Sequence, residues 1–331
     1  MKYTSFLFAF LFLLLNYGTI AQTRLLVVQQ PDAQVAIIHP KTKKVTAVIP
    51  TGFKPHEITC DPVSGLCFIS DFGVEDYDTR LGIPGKTITV IDPILQIKTA
   101  TIQTTTDTAG NMPHGIKIRP GTQRELFVNA ERPDSMLVFD AVSFKRLRTY
   151  SLPKGTHNFL FSPDGKRLWL MCGTAGVMEI DPANGAILHQ QITGTPVRGL
   201  SWIGPNLLAS CNNELYVLSP NDLSVQQHFT QLNVGQIFYS VVDWNRKIII
   251  CPAAFDHTVL LIHAVTGEVL ARIPTPKTPL QVELMNGVAY ITHPLDEKMT
   301  MIDLNQKKII GYLPVKGGNG IMLFKKQSGG K

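Results

Sequence analysis

Short runs of apolar residues, each closed by a polar or turn-forming residue, recur along this chain. Val35-Ala-Ile-Ile-His39 is followed by Ile88-Thr-Val-Ile-Asp92, Met136-Leu-Val-Phe-Asp140 and Val177-Met-Glu-Ile-Asp181. Leu215-Tyr-Val-Leu-Ser219, Val259-Leu-Leu-Ile-His263 and Met299-Thr-Met-Ile-Asp303 complete a set of seven. Their last positions stand 38 to 53 residues apart. Each run has the same neighbours. A turn follows, as in Asp181-Pro-Ala-Asn-Gly185, and then a second β-rich run such as Val45 to Pro50. A short segment like Pro113-His-Gly-Ile comes next, and a turn like Ser162-Pro-Asp-Gly165 leads into a fourth run, Arg167-Leu-Trp-Leu-Met171, after which the unit restarts. Every unit thus holds four short runs with a period of two and turn chemistry between them, the pattern of strands. No long stretch carries the 3.6-residue period of a helix.

Four antiparallel strands in a unit of about forty residues describe one blade of a propeller. A twisted four-stranded sheet has two apolar faces, and neither is hidden until the next sheet packs on it. Closing the stack into a ring removes its two ends. The expected fold is therefore all-β, a seven-bladed β-propeller over residues 22–326. The chain ends fit closure. Leu25-Leu-Val-Val28 begins in mid-unit, and Asn319 to Phe324 reads as an inner strand with nothing after it. The last strand is expected to join the first three in one sheet.

Other features narrow the class. Lys2, an apolar run from Phe6 to Leu15, and small residues at Thr19 and Ala21 form an export signal, with the cut expected after Ala21. Ten apolar residues are too few to span a bilayer, which needs roughly 20. The expected location is secreted or periplasmic, with a disordered tail at 327–331. The formal charge of +6 is spread along the chain rather than gathered. Nucleic-acid binding requires a concentrated basic face, so that class is set aside. No membrane span is expected, and the chain is read as a monomer. Cys60 and Cys67 flank one hairpin turn, where a disulfide and two free thiols are both compatible with the spacing. Cys172, Cys211 and Cys251 fall at equivalent positions of three blades, in a slot that Ser70, Asn129 and Thr292 fill elsewhere; small buried residues explain them.

The units resemble the YVTN family of bacterial β-propeller repeats, with a layout like that of YncE-type propellers. Pro113-His-Gly-Ile, Ser162-Pro-Asp-Gly-Lys-Arg-Leu and Thr87-Ile-Thr-Val-Ile-Asp-Pro93 carry the resemblance. It implies that the segment beginning Pro-His is the innermost strand, with its first residues at one mouth of the central channel. Blades five to seven depart from the pattern, as in Gln236 to Asp243. Aligned on their strands, the blades offer His56, His114, His157, Arg198, Phe238, Leu280 or Gln281, and Asn319 at the mouth.

His56, His114, His157, Arg198 and Asn319 are accordingly the expected ligand-binding residues. Neutral imidazoles can hold a transition metal such as zinc or copper, so His56, His114 and His157 are a candidate metal set, although no cofactor is required by the sequence. With Arg198 they can instead receive a carboxylate or phosphate. An insertion from Ser70 to Lys86, holding Asp71, Glu75, Asp76, Tyr77, Asp78 and Arg80, is expected to lie over this face. Glu131 and Asp256 sit in the equivalent connections of blades three and six. No Gly-x-Ser-x-Gly elbow, His-Glu-x-x-His or P-loop is present. The reading favours a non-catalytic protein that binds a protein, glycan or small molecule at the mouth. The alternatives are a metal-dependent redox enzyme and a lactonase-like hydrolase, since some lactonases are seven-bladed propellers. In the hydrolase His114 or His157 would be general base and Arg198 would stabilise an oxyanion.

Overall fold

The computed structural model describes residues 23–75, 78–121 and 123–325. The expected export signal with its cut after Ala21, the tail 327–331, and Asp76 and Tyr77 of the insertion lie outside the described residues.

The described residues form seven four-stranded antiparallel sheets, one per repeat. The recurring apolar runs are the third strand of each blade, counted outward from the channel. Val35 to Ile38, Ile88 to Ile91 and Val259 to Ile262 are all fully or almost fully buried. The fourth strands face solvent, as Ile187–Gln191 shows. Core residues gather into seven large clusters, and each draws on two adjacent blades. Phe68, Ile88 and Val90 of blade 2, for example, pack against Ile116, Val128 and Phe139 of blade 3. Leu26, Val28 and Ile37 of blade 1 pack against Ile58, Ile69 and Ile91 of blade 2.

Ring closure is as the chain ends implied. The C-terminal strand Gly318–Lys325 pairs with Thr23–Gln29, with Leu25 opposite Leu323 and Val27 opposite Ile321. Blade 1 therefore takes its inner strand from the end of the chain and its other three from the beginning. The other inner strands are Pro55–Cys60, Pro113–Ile118, Asn158–Phe161, Gly199–Ile203, Val241–Asp243 and Val282–Met285. In blade 6, where the repeat pattern is weakest, the inner strand keeps only three residues. Upstream of it Ile237 makes a single bridge to Ala253. Among the described residues no helix is long and apolar enough to cross a membrane.

Cys60 and Cys67 are directly opposite each other in blade 2 and form a disulfide, with their Cα atoms 4.0 Å apart. Cys172, Cys211 and Cys251 are free and buried. Burial pushes their thiols up to about 11, 12 and 12, which keeps them from acting as thiolates.

Asp71 ties blade 1 to blade 2. Its carboxyl accepts from the Gly52 amide and from the hydroxyls of Thr87 and Thr89. A Cβ at Gly52 would stand 2.3 Å from the Asp71 carboxyl, so glycine is needed for this approach. Burial drives the Asp71 pKa up to about 6, against the lowering effect of its donors.

Two outcomes follow. Residues 319–324 bring the buried Ile321 and Phe324 to the ring, roughly 2–3 kcal/mol each. Deleting 319–324 should lower the stability of the whole ring in one transition, by about 5 kcal/mol or more, and a truncated chain melting at the wild-type temperature would contradict closure. The second concerns pH. The folded protein keeps the Asp71 proton where the unfolded chain, near 3.8, has lost it. That contribution is complete below about pH 3.8 and disappears as pH rises through about 6. From pH 4 to 6 the wild type should lose about 2 kcal/mol relative to Asp71→Asn. Parallel urea-denaturation profiles for the two proteins would show the assignment to be wrong.

Candidate functional site at the channel mouth

The histidines reach the mouth through a local irregularity of the inner strands. In blade 2, Pro55 pairs with Asp71 and Ile58 with Ile69, so three steps on one strand face two on the other. Blade 3 repeats this with Pro113 opposite Ala130 and Ile116 opposite Val128. Such bulges turn a side chain out of the regular alternation, and His56 and His114 lie inside them. Gly115, next to His114, has no room for a side chain, because a Cβ would lie 2.4 Å from Asn129 and 2.5 Å from Asn158.

His56, His114 and His157 form a stack. Neighbouring ring centroids are 4.3 and 4.2 Å apart, with interplanar angles of 47° and 32°. His56 and His114 are completely buried. Phe72, from the insertion of blade 2, sets its ring against both, at 5.4 and 4.7 Å. His114 donates from Nδ1 to the His157 carbonyl at 2.6 Å. His157 Nδ1 lies 3.0 Å from Glu131 Oε1, which is also 3.6 Å from His114 Nδ1. One nitrogen of each of these two rings and the carboxylate oxygen all lie within 4.8 Å of one another. The close group is thus His114, Glu131 and His157, with His56 stacked behind.

Below the mouth a polar bridge crosses the channel. Gln281 of blade 7 and Asn158 of blade 4 both donate to Glu57 Oε1 of blade 2, at 2.7 and 3.3 Å. Burial lowers the Lys117 pKa, while Glu57 acts in the opposite sense.

The other half of the mouth is a cavity of about 190 Å³. Arg198 and Asn319 line it together with Phe238, Phe255, Leu280 and Leu295. Its remaining walls are uncharged as well, so Arg198 is the one charged side chain lining it. Among the described residues the Arg198 Nε is buried without a hydrogen-bond partner, and no ion pair includes Arg198. Asn319 is 1% exposed, and its Oδ1 also lacks a partner. Charged groups are normally paired where water is scarce, and Arg198 lines this cavity without an ion-pair partner, so a ligand entering it can supply one.

No protein-family model matches the chain, and no curated protein matches it in sequence. Solved structures do match it. A functionally unknown protein from Desulfotomaculum acetoxidans DSM 771 superposes with a TM-score of 0.72 at 14% identity, over 91% of this chain and 98% of that one. Kuenenia stuttgartiensis hydrazine synthase gives 0.64 at 17% identity, over 84% and 94%. The dihydro-heme d1 dehydrogenase NirN in complex with DHE gives 0.63 at 12% identity, over 90% and 74%. The likeness is one of fold.

Of the mouth residues aligned from the repeats, the structure places the three histidines in one stack and Arg198, Phe238, Leu280 and Asn319 around one cavity. Gln281, the alternative to Leu280, turns down to Glu57 instead. Glu131 stands at the histidines as a partner rather than a distant rim residue. Among the described residues the acidic side chains of the insertion do not gather: Asp71 points into its blade, Glu75 pairs with Lys54, and Asp78 pairs with Arg80. Phe72, Phe255, Thr278 and Leu295 escaped the alignment on inner strands. Phe72, Phe255 and Leu295 follow second strands, so aligning those connections as well would have found them.

Proposed function

We propose that the protein binds a small anionic molecule at the channel mouth, with Arg198 holding the negative group. The observation that carries this is the unpaired Arg198 guanidinium in a cavity whose other walls are uncharged. Guanidinium presents a planar fork of donors that matches a carboxylate or phosphate. The absence of catalytic motifs and the resemblance of the repeats to YVTN-type propellers support a binding role over turnover. The export signal expected at the N-terminus puts that role outside the cytoplasm. A thermal-shift screen of small carboxylates, phosphates and neutral analogues tests the reading. Hits should be anions, and Arg198→Gln should weaken them about 10- to 100-fold, as losing hydrogen bonds to a charged group does. Hits that ignore this substitution would remove Arg198 from the site.

A second reading has its own observation. Two imidazoles and a carboxylate are a ligand set for zinc or a similar divalent ion, and His114, Glu131 and His157 bring such atoms within 4.8 Å. An ion there would displace the proton shared by His157 and Glu131. Elemental analysis of protein purified without chelators should then find one metal per chain, lost in Glu131→Ala and His157→Ala. A metal-free protein that takes up no added zinc would dismiss this reading.

A further inference from the structure

We infer that the ligand of the mouth cavity is an amphiphilic organic acid with a single negative charge. This rests on the assignment of the anion to Arg198 and adds the chemistry of the rest of the molecule.

Three features of the cavity lead there. The first is charge. One guanidinium, with no second cation lining the cavity, balances one negative group. A polyphosphate or dicarboxylate would bring charge that the uncharged walls cannot meet, and desolvating it would cost heavily.

The second is the apolar rim. Phe255 is 64% exposed and Leu295 50% exposed, on the connections of blades 6 and 7. Single exposed apolar residues need no explanation. These two flank the same opening, and behind them the buried Phe238 meets Phe255 edge to face at 6.0 Å. An aromatic wall with an exposed lip suits a flat apolar body whose acid head points inward. A bare inorganic anion would leave both rim side chains in water.

The third is the wall, which is strained. Thr278 lines the cavity with φ of +55°. It is a β-branched residue in the left-handed region and it precedes Pro279, both unfavourable. Its amide is held by His257 Nδ1 at 3.2 Å. Strain of this kind is retained where the surrounding structure enforces a particular wall shape.

A matched pair of fluorescent probes tests the inference. 1-Anilinonaphthalene-8-sulfonate and N-phenyl-1-naphthylamine share rings and N–H and differ by one sulfonate. On the full chain the sulfonate should bind about 10-fold tighter or more. Arg198→Gln should bring it to the level of the neutral probe, whose own affinity stays unchanged. The double variant Phe255→Ser/Leu295→Ser, on exposed side chains, should weaken both probes about 10-fold. Equal binding of the two probes to the wild type would overturn the acid class. If sodium sulfate displaces the sulfonate through Arg198 while the rim variant binds both probes normally, the anion site stands and the amphiphile falls. If Arg198→Gln leaves sulfonate binding intact, the anion site falls with it. Melting curves accompany each variant. Should Arg198→Gln fail to fold, Arg198→Met replaces it, keeping the apolar stem and removing the charge, and should likewise lose the preference for the sulfonate.

Discussion

Burial between blades is the constraint on which everything else rests. Each sheet presents an apolar surface on both faces, and water is excluded only when a neighbouring sheet packs on it. The core is accordingly divided into interfaces. Phe127, Met136 and Val138 of blade 3 meet Leu168, Leu170 and Met178 of blade 4, and the last interface joins Tyr290 and Met299 of blade 7 to Leu25 and Ala36 of blade 1. An open row of seven sheets would leave two such faces in water. Pairing of the C-terminal strand with Thr23–Gln29 is what removes them.

Closure also makes the channel mouth. Packing seven sheets in a ring brings the starts of seven inner strands together, although they are far apart in the chain. Residues 198 and 319 line one cavity for this reason. The bulges at His56 and His114 break the strand alternation there, and Gly115 and Gly320 let neighbouring strands come close. A Cβ at Gly320 would lie 2.5 Å from the His56 carbonyl. Regular pairing of the two inner strands is given up at the mouth of these blades, so the packed blade faces carry the stability and the mouth is free to carry chemistry.

The mouth has two characters. On blades 2 to 4 the polar groups are directed at one another: imidazole on imidazole, His157 on Glu131, and Glu57 below. On blades 5 to 7 and blade 1, Arg198 lines a cavity of otherwise uncharged walls behind an apolar rim. The first half holds its own hydrogen bonds. The second leaves one charged side chain for something else to complete, and that difference makes it the stronger candidate for recognition.

Sequence periodicity alone determined the blade count, the four strands per blade and the shared blade of the two chain ends, because burial of a repeated sheet has one economical solution and each strand announces its face by alternation. The candidate positions His56, His114, His157, Arg198 and Asn319 came from the same register. Which of them act together was decided by the tertiary structure. Ring geometry stacked the histidines, turned Gln281 to Glu57, drew Glu131 to His157, and set Phe255, Thr278 and Leu295 around Arg198. These contacts join different blades, and their distances depend on sheet twist and on bulges that no local pattern encodes. Asp71 shows the same limit. It reads as one of several acidic residues in an insertion, and only packing against blade 1 reveals it as a buried group that joins two sheets.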